Sequence, residues 1–302
     1  MTILNLQSDG LPPVLITLVL MVSREKEIPR DSLVEICAPF TETSERARLR
    51  ATLNRWIGLG LFSDEGDKVR LSFGRGRGES DDGVAQRLPA ICRDILLGSE
   101  HARPLWPNIG TLSEDGIGRS ADLCRGLAWC LAQDIYTLPS IYADVNAMVD
   151  SQVQFGRFIF LNDTRWSGMR PWARYLGFAT GDDSKLFFDP TVAVRGQLNE
   201  VIQKKESLPA TEFVARLAAR LPVLDNGSYR TEVEQVLKPE TWRPPSPDHL
   251  STSLSFALRR LKKQGTIGLQ WKADAGSELK LIGQFGRTWE SFTHVCLLRD
   301  AE

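Results

Sequence analysis

Three times in 302 residues the sequence changes period at a glycine. An apolar stripe at helical spacing stops, and two short strand-like runs then flank a polar turn. The first copy reads RLRATLNRWIGLGLFSDEGDKVRLSF (48–73), the second MRPWARYLGFATGDDSKLFFDP (169–190), and the third LSTSLSFALRRLKKQGTIGLQWKADAGSELKLIG (250–283). A helix buries one stripe and a hairpin one side, so each pair needs a shared core. That confines the chain to small mixed units.

In the first copy Leu49, Leu53, Trp56 and Ile57 form the stripe, at the spacing of one helix face. Gly58 and Gly60 release the helix, and Leu61-Phe62 and Val69-Arg70-Leu71 enclose the turn. In the third copy the stripe is Leu250, Leu254, Ala257, Leu258 and Leu261, ended by Gln264-Gly265. Ser246 is its predicted N-cap, followed by Pro247, a residue suited to the first turn. Thr266–Trp271 is predicted to pair with Glu278–Ile282. The middle copy has Met169, Trp172, Ala173 and Leu176 before Gly177, with Asp182-Asp183-Ser184 as its turn.

Apolar helices precede the outer copies: Leu11–Val22 and Arg30–Cys37 before the first, Thr211–Leu221 and Val233–Leu237 before the third. Helix, helix, helix, hairpin is a helix-turn-helix order. Between them Val84–Leu97, Ile117–Tyr136 and Ser140–Val153 carry helical periodicity, and Gly74–Gly83 (GRGRGESDDG) reads as a flexible linker. The expected fold class is mainly α with small β-hairpin wings, hence α+β. The expected units are 1–78, a helical region at 79–200 with a candidate second unit at about 140–195, and 201–302.

A formal net charge of −1 and a pI near 6.4 give no global positive field, so any contact with nucleic acid must come from local patches. Such patches exist on the third helices. Arg46, Arg48, Arg50 and Arg55 leave the first stripe, and Arg259, Arg260, Lys262 and Lys263 leave the third. Arg75 and Arg77 follow the first hairpin. Arginine suits both phosphate and guanine edges. The alternative is a solvated face complementing the helix dipole, which fits Lys262 and Lys263 well. The first hairpin carries Asp64, Glu65 and Asp67 and the middle one Asp182 and Asp183; acids there repel phosphate and favour a protein partner.

Trp166, Trp172, Tyr175 and Phe178 cluster with Arg165, Arg170 and Arg174. Base stacking would use such a set, but core packing explains its spacing more simply. Trp106, between Pro104 and Pro107, reads as either an exposed anchor or a plug over the helical region. Catalysis finds no support: His101, His249 and His294 show neither metal-ligand spacing nor a neighbouring nucleophile motif, and the Gly74–Gly78 run lacks the lysine of a phosphate loop. No cofactor, metal or small-molecule ligand is indicated. Cys37, Cys92, Cys124, Cys130 and Cys296 are odd in number and form no CxxC pair, as expected of free thiols in a reducing compartment. Leu11–Val22 is too short to span a bilayer. The expectation is a bacterial cytoplasmic protein without a membrane segment.

The helix-plus-hairpin units resemble the winged-helix superfamily. The strings SDGLPPVL, WARYLGFA and FFDPTVAV resemble DpdG-type proteins, encoded in bacterial operons that insert 7-deazaguanine derivatives into DNA and restrict unmarked DNA. The resemblance implies a non-catalytic accessory subunit of a DNA-modification and anti-phage defence complex. Its partners would be double-stranded DNA, bound weakly alone, and other subunits. Two other readings stand beside it: a purely protein-binding tandem winged-helix scaffold of the kind that serves SMC–kleisin complexes, and a transcriptional regulator.

Overall fold

The structure, a computed structural model, describes residues 2–5, 12–39, 43–107, 116–182, 185–273 and 276–299. It is mainly helical with small antiparallel sheets, an α+β fold. The N-terminal unit runs α1 (Pro12–Glu25), β1 (Glu27–Pro29), α2 (Arg30–Cys37), α3 (Thr43–Gly58), β2 (Phe62–Glu65) and β3 (Lys68–Leu71). Strand β1 is absent from the sequence expectation. It is three residues long and contains a proline, which confines it to a sheet edge, and the order is indeed β1-β3-β2. Ile28 lies opposite Val69, and both are buried. Gly66 and Asp67, both at positive φ, close the β2–β3 hairpin in two residues, the left-handed geometry that matches strand twist.

The middle region comprises α4 (Asp81–Leu97), α5 (Ser99–Ala102), α6 (Ala121–Ala132), α7 (Tyr142–Gln152), α8 (Asp163–Tyr175), β4 (Thr180–Gly181), β5 (Leu186–Phe187), α9 (Thr191–Arg195) and α10 (Leu198–Val201). Helix α6 is buried from end to end, which makes it the axis of the molecule. Its Asp122 accepts from Arg165 Nη1 at 3.1 Å and from the Leu4 amide at 3.0 Å. Trp56 of α3 packs on Trp172 of α8 with centroids 5.7 Å apart, so one continuous core joins the N-terminal unit to the middle region. The middle hairpin pairs two residues per strand, and among the described residues no third strand joins it. Of its turn, 183–184 lie outside the described residues.

The C-terminal region runs β6 (Ser207–Pro209), α11 (Ala210–Arg220), α12 (Ser228–Glu234), α13 (Thr252–Lys263), β7 (Ile267–Gln270), β8 (Leu279–Ile282), β9 (Thr288–Phe292) and β10 (His294–Leu297). Two expectations need correction. Strand β7 pairs with β10, not with 278–282. The latter, β8, pairs with β9 as a separate hairpin inserted between β7 and β10. Alternation explains this: Leu279 and Leu281 are buried, and β8 packs against α13. Val295 instead sits between Leu208 and Leu269 at the centre of the β6-β10-β7 sheet. The N-cap of α13 is Ser251, not Ser246, and its hydroxyl accepts from the Leu254 amide. Asp225 fixes that cap by accepting from the Ser251 amide at 2.7 Å and its hydroxyl at 2.6 Å.

The two outer units thus share one strand order. Each short first strand ends in proline, opens a helix, and pairs with the last strand of its sheet. The tract Gly74–Gly83 is not a free linker. Arg87 donates to both Glu79 oxygens and to the Gly74 carbonyl, while Gly76 N–H donates to Glu79 at 2.7 Å. Arg87 in turn holds the Glu79 carboxyl below the usual range. No helix among the described residues is long and apolar enough to cross a membrane. All five cysteines are free thiols.

Candidate nucleic-acid interface

Helix α3 buries Leu49, Thr52, Leu53 and Trp56. The repeat of 3.6 residues per turn then sets Ala47, Ala51 and Asn54 in one outward row. Arg50 flanks that row on one side and Arg48 and Arg55 on the other. Ala47, Arg50 and Asn54 are exposed, and Arg48 is half-buried. Arg48 has no ion-pair or hydrogen-bond partner among the described residues. Arg50 reaches Asp31 of α2 at 3.2 Å, a pair in which both side chains are largely exposed; water screens such a pair, and it is easily exchanged for another anion.

The other two α3 arginines are engaged with backbone. Arg46 donates to the Ala38 and Pro39 carbonyls, bracing the end of α2, and Arg55 donates to the Ile3 carbonyl. Arg75 pairs with Asp81 in the first turn of α4, where Arg24 also binds. Arg77 is exposed and has no partner among the described residues. The first hairpin offers no free cation: Lys68 and Arg70 both bind Glu27. Those hydrogen bonds lower the Glu27 pKa, that from Lys68 most.

Helix α13 is placed differently. Three of its four basic residues meet partners from distant sequence. Arg259 lies 4.0 Å over the Trp289 ring, Arg260 binds the buried carboxylate of Asp189, and Lys262 binds Glu290. Lys263 remains exposed and has no partner among the described residues. The β8–β9 hairpin and α9 cover the helix, with Leu281 and Phe292 inaccessible to solvent.

Sequence reasoning missed the small-residue row of α3 with Asn54, and it missed Asp189, Trp289 and Glu290 as partners of α13. The signal for the first was present, since Ala47, Ala51 and Asn54 are helically spaced. The α13 pairings span 71 and 28 positions, which local pattern cannot reveal.

The aromatic set of the middle region is core. Trp166, Trp172 and Phe178 are buried, and Arg165 is a buried partner of Asp122 and Thr2. Trp106 is half-buried, with Arg125 and Arg157 over its ring, so it acts as the plug. No group of three metal-ligating side chains occurs among the described residues.

A family model described as DpdG-like matches residues 1–275. No curated protein and no solved structure matches the chain. The match spans the N-terminal unit, the whole middle region and all of α13, and the chain belongs to the DpdG-like family.

Proposed function

We propose that the outer units are winged helices and that this protein is a non-catalytic accessory subunit of a DpdG-type DNA-modification and defence system. In this reading it touches duplex DNA through α3. The observation that carries it is the outward row of α3: small side chains at its centre, Asn54 beside them, and Arg48 and Arg50 on either flank. Small residues let a helix backbone approach the floor of a major groove, and flanking arginines reach phosphates. The acidic hairpin cannot grip the backbone, so contact would be one-sided and weak alone. Partner subunits would supply the remaining affinity.

The covered state of α13 supports a division of labour, with the C-terminal winged helix facing protein. If both units face protein, the chain is a scaffold that never meets DNA.

The test is binding of the full chain to labelled duplex across a salt series. Changing Arg48 and Arg50 to alanine should lower affinity and flatten the log–log salt slope by about 1 for each phosphate no longer neutralised. Changing Arg259 and Lys262 should leave both unaltered. No binding at low salt, or binding indifferent to Arg48 and Arg50, sinks the DNA reading in favour of the scaffold.

A further inference from the structure

Away from α3, a cleft of about 450 Å³ opens between the end of α6, helix α7, the connector leading into α13, and the β8–β9 hairpin. Small-ligand sites occupy roughly 300–1,000 Å³. Trp242 and Met148 provide apolar lining. Gln133 and Gln152 also line it; both are buried, and the Gln152 amide donates to Gln133 Oε1 at 3.0 Å. Their acceptors and donors are therefore fixed in place.

Three polar groups of the cleft keep unused capacity. Arg243 lines it and has no partner among the described residues. His249 has Nδ1 2.7 Å from Asp248, which also holds Lys280 at 2.6 Å. That anchor orients the imidazole and leaves Nε2 without a partner among the described residues. Asp134 accepts from the Tyr136 amide through Oδ1 at 3.1 Å, and its second oxygen has no partner there.

The rim adds an independent observation. Gly286 lines the cleft, and Phe285 beside it has φ 60° and ψ 27° with 89% of its surface exposed. The left-handed region is strained for a bulky side chain, and an exposed ring gains nothing from burial. Strain of this kind collects at binding sites.

We propose that this cleft binds a mononucleotide, with its base against Trp242 and Met148 and its phosphate at Arg243 and His249. The mixed charge selects that class. An acidic peptide would satisfy Arg243 but bring a second anion toward Asp134. A nucleotide carries base N–H donors for Asp134 together with a separate anionic end. The site is independent of α3, so either assignment can fail alone.

The experiment is calorimetric titration of the full chain with AMP, GMP, CMP and UMP, with adenosine, guanosine and inorganic phosphate as separate arms. At least one nucleotide should bind, with its nucleoside and free phosphate each about tenfold weaker or more. Arg243→Ala, an exposed change, should weaken it about tenfold, which is 1.4 kcal/mol. Phe285→Ala should weaken it several-fold, and Arg48→Ala should leave it unchanged. The proposal is overturned if no nucleotide binds at millimolar concentration, if phosphate alone binds as well, or if Arg243→Ala and His249→Ala leave affinity unaltered.

Discussion

The two outer units repeat one strand order and treat their third helix in opposite ways. In the N-terminal unit the last two strands join through Gly66-Asp67, and α3 keeps an outward row. In the C-terminal unit β8 and β9 are inserted between the corresponding strands, and they fold back over α13. A basic run on a helix is therefore no guide to a basic surface. Arg48 and Arg50 have at most an exposed ion pair to give up before meeting an anion. Arg260 would have to abandon Asp189, whose carboxylate is 1% exposed, and that separation carries a desolvation cost.

The strongest way to break the comparison is to attack the cover. Phe292, the last residue of β9, has no exposed surface, and Phe292→Ala should cost about 3–5 kcal/mol in urea unfolding, as for other buried phenylalanines. A loss below about 1 kcal/mol, accompanied by new DNA affinity that depends on Arg259 and Lys262, would instead make the hairpin a removable lid. The comparison between the helices would then be one of state, not of architecture.

Of similar size is the tie beneath the N-terminal unit. Asp122→Ala would leave Arg165, 4% exposed, without its carboxylate. Breaking a buried pair from one side costs about 3–5 kcal/mol. The Leu4 amide loses its acceptor in the same change. If unfolding barely moves, the N-terminal segment is not what locks α3 against the middle region.

Parts of this arrangement are legible in the sequence because they are local. The stripe Leu49, Leu53, Trp56, Ile57 and the release at Gly60 need only helical spacing and one positive φ, which Gly60 adopts. The same holds for Gly177 and Gly265. Strand β1 is not legible, because Glu27-Ile28-Pro29 gains its identity only from Val69, some forty residues later. The partner of β7 escapes for a related reason: Leu279-Lys280-Leu281 alternates as well as His294-Val295-Cys296, and only packing on α13 decides between them. Likewise, Arg46, Arg55, Arg75, Arg259, Arg260 and Lys262 all look free in the sequence and prove to be engaged with backbone or with acids and rings. The sequence around α13 carries no trace of Asp189 or Glu290.

A smaller effect sharpens the comparison at the surface. Removing Arg48 should change stability by less than about 0.5 kcal/mol, as expected for a surface position without partners. Arg260→Ala should cost about 1–3 kcal/mol, because among the described residues the Asp189 carboxylate is left with only the Thr191 amide and hydroxyl. Paired urea titrations test this: equal costs would mean that Arg260 is as free as Arg48, and the two helices would no longer differ in kind.

The smallest expected effect separates how the two units use their acids. Glu27 ties together the outer face of the N-terminal sheet, whereas Asp248 clips the connector before α13 to β8 through Lys280 and holds His249. Lys280 first, and His249 second, hold the Asp248 pKa down to about 2. An unfolded aspartate titrates at about 3.9, so on acidification the unfolded chain takes up this proton first. The stability Asp248 contributes is therefore complete above the unfolded value and is lost as pH falls through about 2. Asp248→Asn should lower the urea midpoint slightly at pH 6 and flatten its decline between about pH 4 and 2. Parallel curves for the two proteins would mean that the Lys280–Asp248 ion pair does not stabilise the connector on the hairpin, and the cover over α13 would rest on the burial of Leu279, Leu281 and Phe292 and on the Arg259–Trp289 and Lys262–Glu290 contacts.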